Sequence, residues 1–138
     1  MTDPIYATTC TFLDEYYSLR PIESTSAGYT KYNSKIGDIS PHSFEAELVI
    51  LNKYKKIEED LRKPGDIFYV SLAHHVLRRF IHLRVQDIVS KDYCYELNSI
   101  ASFWQQLLGS LDIICMNSMD DYAKRFSGFP KWIEGYID

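Results

Sequence analysis

The sequence is short of the residues that build covalent staples and metal centres. Its three cysteines, Cys10, Cys94 and Cys115, are widely spaced and form no Cys-x-x-Cys pair. An odd, dispersed set argues against a disulfide framework or structural zinc site, so three reduced thiols acting as small apolar side chains are expected. Long apolar runs are missing too, and no segment is expected to cross a bilayer. The opening Met1-Thr2-Asp3-Pro4 lacks the basic and apolar regions of a signal peptide, so a cytoplasmic location is expected. The sequence carries no Gly-rich phosphate loop, no positioned nucleophile and no metal-ligand spacing. The expectation is therefore a protein without cofactor or metal that is not an enzyme. There is no internal repeat and no low-complexity tract. Finally, no Lys or Arg occurs from Asp92 through Ala123.

What is present suits a globular chain. The length of 138 residues, 46% hydrophobic and 25% charged, fits one domain spanning 1–138 and excludes a disordered segment. A formal net charge of −4 argues against coating nucleic acid through the overall field, though not against a local basic patch. The 11 tyrosines suit half-buried helix edges and interfaces.

Asp3-Pro4 reads as an N-cap followed by proline in the first turn, and opens a helix that ends near Arg20-Pro21. Residues 21 to about 40 show turn chemistry without an apolar period. Such a stretch is either functional or hides a short element, with Tyr29 to Tyr32 the favoured place for one. Ser40-Pro41 opens a second helix over 42–62, whose seam is Phe44, Leu48, Leu51, Tyr54, Ile57 and Leu61. Lys53, Lys55, Lys56, Glu58, Glu59 and Asp60 read as its solvated face. Lys63-Pro64-Gly65 stops it. Asp66 is placed to cap a third helix running to about Val89. A fourth, near 94–116, has the seam Leu97, Ile100, Trp104, Leu107, Leu108, Leu111, Ile114 and Cys115. A short helix around Asp120–Arg125 breaks at Ser127-Gly128-Phe129-Pro130, and a last turn docks Trp132 and Ile133 on the core. The expected fold is all-α: a single-domain bundle of about four to five helices, with a long irregular loop after the first.

The third helix carries the chemistry. Ser71, His75, Arg78, Arg79, His82 and Gln86 share one stripe at 100° per residue, with His74 beside it. The apolar arc is so wide that the helix is expected at the centre of the bundle. Arg84 projects onto that apolar arc, where an unpaired guanidinium is too costly to bury. It must meet a carboxylate, snorkel outward, or mark a break in the helix. Ile81, Leu83 and Val85 alternate with His82, Arg84 and Gln86 as a strand would, but the helical reading is favoured. The plainest use of the stripe is internal, as ion pairs to acids such as Glu45, Glu47, Asp112 or Asp120. Metal binding is disfavoured, because His75 and His82 stand two turns apart with no acid at ligand spacing. A functional use is anion binding by His74, His75, Arg78, Arg79 and His82, which extends to a histidine-based ribonuclease with His75 and His82 as acid and base. The Arg-x4–6-His spacing of HEPN-type ribonucleases is absent, since the only His following Arg78 or Arg79 is His82, which is too close.

The base-free stretch places Asp92, Glu96, Asp112, Asp120 and Asp121 among Tyr93, Tyr95, Trp104 and Tyr122. Acids with interleaved aromatics suit a basic protein partner, the aromatics as anchors and the acids as steering groups. The expected partner surface is Asp92, Tyr93, Tyr95, Glu96, Asp112, Asp120, Asp121 and Tyr122. The leading expectation is thus a non-enzymatic protein-binding module, a small acidic inhibitor or immunity-type protein that neutralises a basic partner. The alternative is an RNA- or nucleotide-binding protein that uses the cationic stripe. A homo-oligomer joined through the apolar arc of the third helix is a further possibility.

Overall fold

The structure, a computed structural model, describes residues 3–91, 106–114 and 118–137. These are all-helical, with no strand among them. The elements are α1 (Pro4–Leu19), α2 (Pro21–Ser26), α3 (Pro41–Leu61), α4 (Phe68–Ser90), α5 (106–114), α6 (Met119–Ser127) and α7 (Phe129–Ile137).

Local chemistry accounts for the boundaries. The Asp3 carboxylate accepts from the Ile5 N–H at 3.0 Å, which caps α1 ahead of Pro4. Thr9 and Thr11 donate their hydroxyls to the carbonyls of Ile5 and Ala7, one turn back, so these poor helix formers sit inside α1 with their polar groups satisfied. The stretch after Arg20 does hide a helix, but at Pro21–Ser26 rather than at Tyr29 to Tyr32, which lie in loop and turn. Pro21 supplies its start. Asp66 does not cap α4: the N-cap is Ile67, and the Asp66 carboxylate accepts the Lys63 N–H in the connecting turn instead. Residues 81–86 are helical, which disposes of the strand alternative. The start of the expected fourth helix, with Leu97, Ile100 and Trp104, lies outside the described residues.

Two cores result. In the larger, Ile5, Phe12 and Tyr16 of α1 meet Phe44, Leu51 and Tyr54 of α3 and Val70, Leu77, Ile81 and Ile88 of α4. The pairs Glu58–His74 and Glu47–Arg84 run in opposite chain order, so α3 and α4 are antiparallel. Glu15–Lys53 and Arg20–Glu47 set α1 antiparallel to α3 in the same way. The smaller core gathers Ile22, Leu107, Leu111 and Trp132, with Ile133 and Phe129 packed at its edge. α4 is less central than its composition implies. Tyr69, Leu72, Val76, Phe80 and Leu83 are all exposed, so part of the apolar arc faces outward. Cys10 is exposed as well, rather than packed.

Candidate functional site

The α3 sequence steps Phe44, Glu47, Leu51, Tyr54, Glu58 and Leu61 by threes and fours, so two acids fall on the apolar seam. Both are fully buried. Buried carboxylates require partners, and α4 and the α1–α2 junction provide them. Glu47 binds Arg84 and Arg20 together: Arg20 Nε donates at 2.6 Å and Arg84 Nη2 at 3.3 Å. Arg20 also donates to the Asp38 carbonyl and to Ser43 Oγ, and its guanidinium lies 4.6 Å from the Phe44 ring centroid. Burial is the largest influence on Arg84 and opposes its charge, but the bond to Glu47 together with the charges of Tyr16, Glu47 and Glu23 outweighs it and holds the guanidinium above its ordinary range. Arg84 thus meets a carboxylate, and this part of the charge pattern is internal architecture.

His74 also leaves the stripe. It is buried, and its Nδ1 stands 3.0 Å from Glu58 Oε1. The other carboxylate oxygen, Glu58 Oε2, is buried with no hydrogen-bond partner among the described residues.

The remaining members, His75, Arg78, Arg79 and His82, are exposed on one side of α4. Their spacing of three, four and seven residues keeps them on one face. That face looks along α3, where Lys55 joins it, and toward Arg62 and Lys63 in the α3–α4 connection. Two adjoining cavities lie along this groove and share His75 and Arg78. One, of about 290 Å³, is lined by Lys55, Arg79, His82, Ile81 and Val85, with Glu59 as its acid. The second, of about 250 Å³, is lined by Arg62, Lys63, Ser71, His74, Glu58 and Asp66.

Among the described residues, the groove gathers cations that no ion pair engages, whereas Lys35, Lys56, Lys91 and Lys131, also outside any ion pair, line neither cavity. Lys31, Lys53 and Lys124 at other places on the surface are each bound to an acid, Asp14, Glu15 and Asp120 respectively. Among the described residues, no ion pair engages Lys55, Arg62, Lys63, Arg78 or Arg79. Five cations outside any ion pair, against Glu58, Glu59 and Asp66, leave the groove with a positive balance in an acidic protein.

The acidic surface is less coherent. Asp92, Tyr93, Tyr95 and Glu96 lie outside the described residues. Asp112 is exposed on α5. Asp120 and Asp121 occupy the first turn of α6, where acids favour the helix dipole, and Asp120 accepts from Lys124 at 2.6 Å. Tyr122 is half-buried against the smaller core and stacks on Phe126. Phe126 and Met119 are exposed beside these acids.

Two buried cations escaped the sequence reading. Arg20 sits at a helix end and Arg125 in a short helix, and neither position falls in an apolar run. Arg125 is fully buried with no carboxylate bonded to it among the described residues; it donates to the carbonyls of Lys35, Pro21 and Tyr32 and so ties α6 to the segment after α1. Burial lowers it to about 10, with Asp121 opposing. Glu58 could have been found, because its place in the three-four progression marks it as a seam residue despite the charged run around it. No helix among the described residues is long and apolar enough to cross a membrane. Comparison with family models, with curated proteins and with solved structures found no match to this chain.

Proposed function

We propose that this protein is a non-catalytic binding protein for phosphate-bearing ligands of the RNA and nucleotide class, held in the α3–α4 groove. The observation that carries this reading is the convergence of unpaired cations from α3, the α3–α4 turn and α4 on two adjoining cavities. Guanidiniums present planar forks of donors that match phosphate oxygens, and the imidazoles of His75 and His82 add hydrogen bonds. The test is fluorescence anisotropy of a single-stranded RNA oligonucleotide at rising salt. Affinity should fall steeply with salt, and Arg78→Glu with Arg79→Glu should flatten the slope by about one for each cation removed. Absence of binding at low ionic strength would end this reading.

A second reading keeps a protein partner for the acidic side, as an inhibitor or immunity-type module acting on a basic protein. It is favoured by the exposed Phe126 and Met119 beside Asp120. Aromatic anchors next to steering acids are what such an interface uses. Asp112→Lys with Asp120→Lys should weaken capture of the partner in a pulldown from the native host while leaving the helical circular dichroism unchanged. Full capture by that double variant would remove this surface from consideration. Asp121 is a poorer probe, because its charge bears on the buried Arg125.

A further inference from the structure

The two halves of the groove differ in chemistry. The cavity toward the α3–α4 turn is polar and carries Arg62, Lys63 and Arg78. The cavity farther along α4 includes the apolar side chains of Ile81 and Val85, flanked by Arg79 and His82. Phosphate alone needs only the first half. A ligand that uses both needs an anionic end and a flat apolar end with polar edges. From His74 to Val85 the helix rises about 16 Å at 1.5 Å per residue, long enough for a phosphate, a sugar and a base in line.

The Glu58–His74 pair lines the polar cavity, beside Arg62, Lys63 and Arg78. Glu58 fixes His74 through Nδ1, which leaves Nε2 as the ring's second hydrogen-bonding nitrogen. Glu58 Oε2 is an acceptor with no donor among the described residues. Arg79 and His82 offer planar cationic and aromatic faces of the kind that stack on bases.

We infer that the groove takes a single nucleotide in a fixed direction, its phosphate among Arg62, Lys63 and Arg78 and its base against Ile81 and Val85, between Arg79 and His82. This rests on the reading of the groove as a site for phosphate-bearing ligands and goes beyond it by naming the unit recognised and its orientation. Arg78 is a phosphate contact and His82 a base contact.

The test is isothermal calorimetry at low ionic strength with nucleoside monophosphates, the matching nucleosides and inorganic phosphate, alongside the RNA anisotropy measurement. The nucleotide should bind at least about ten-fold tighter than either fragment, since each fragment fills half of the groove. Arg78→Gln should weaken nucleotide and inorganic phosphate alike by about ten-fold. His82→Ala should weaken the nucleotide by about five-fold and leave inorganic phosphate unchanged. Both residues are exposed, so neither change threatens the fold. Equal affinity for nucleotide and inorganic phosphate would overturn the inference, as would nucleotide binding that neither Arg78→Gln nor His82→Ala affects. RNA binding that nucleoside monophosphates fail to displace would overturn it too, while sparing the broader reading. Loss of RNA binding as well would remove both.

Discussion

Two guanidiniums share the Glu47 carboxylate, with Glu23 3.9 Å from Arg84 and Tyr16 donating its hydroxyl to Glu23 at 2.8 Å. Glu47→Leu leaves Arg20 and Arg84 without their anion, and a cost of about 3–5 kcal/mol is expected in urea unfolding. Adding Arg20→Met and Arg84→Met should return much of it, because a buried ion cluster is seldom better than a packed apolar one. A fully stable Glu47→Leu protein would mean that the guanidiniums reach water. A second expectation concerns acid. The Lys53 ammonium, donating to Glu15 at 2.8 Å, holds that carboxyl below the usual carboxylate range, against the cost of burial and with help from Tyr54. A carboxyl lowered on folding contributes stability above its unfolded value and loses it as pH falls through the folded one. Melting curves of the parent and of Lys53→Gln should therefore differ at neutral pH and converge in acid. Constant separation across the range would contradict the assignment. At this scale the sequence was partly legible. Arg84 stood out as a cation on an apolar face in need of a carboxylate, while Glu47 read as a partner for the stripe beside it. Glu58 was hidden by the charged residues around it, because a local run of charge suggests solvent even where the helical period points inward.

The helix ends were the most legible elements. Asp3-Pro4, Ser40-Pro41 and Ser127-Gly128 punctuate the chain with residues whose backbone chemistry admits few alternatives. α2 was not legible, since six residues of Pro-Ile-Glu-Ser-Thr-Ser offer too few turns for an apolar period. Glycines test these elements directly. Gly109 lies within α5, and a Cβ there would meet nothing within 4 Å. Gly109→Ala should stabilise the protein by about 1 kcal/mol, through helix propensity alone. Gly37 is the opposite case. Its φ is +82°, and a Cβ would come within 2.8 Å of Pro21 Cδ and 3.2 Å of the Leu19 carbonyl oxygen. Gly37→Ala should cost more than about 1 kcal/mol by the same unfolding measurement. Equal effects at the two positions would count against the packing of this loop on the α1–α2 junction.

At the scale of the whole molecule, the described residues form two cores of unequal size, joined by α2 and by the cations that bind its ends. Ile22 belongs to the smaller core, while Arg20, one residue before α2, is anchored to α3. Trp132→Ala removes the largest side chain of the smaller core, at an expected cost of about 3–5 kcal/mol. Hydrogen exchange should then quicken first across 21–26 and 119–137, and least within 41–61. Uniform acceleration would show that the two cores open together. The sequence did not disclose this division, because a single-residue pattern tells which face is apolar but not which neighbour covers it. The same blindness placed α4 at the centre, although its Tyr69 and Leu72 face outward.

The groove, unlike the two cores, draws on neighbours in the chain. Every residue that lines its two cavities falls between Lys55 and Val85. The contacts that close it are those of one antiparallel helical hairpin, the kind of short-range closure that forms early in folding. In genetic terms the site is a cassette. Its charge can be retuned by substitutions in one short stretch of the coding sequence, while the Glu47 cluster and the Trp132 core, built from distant segments, are left alone.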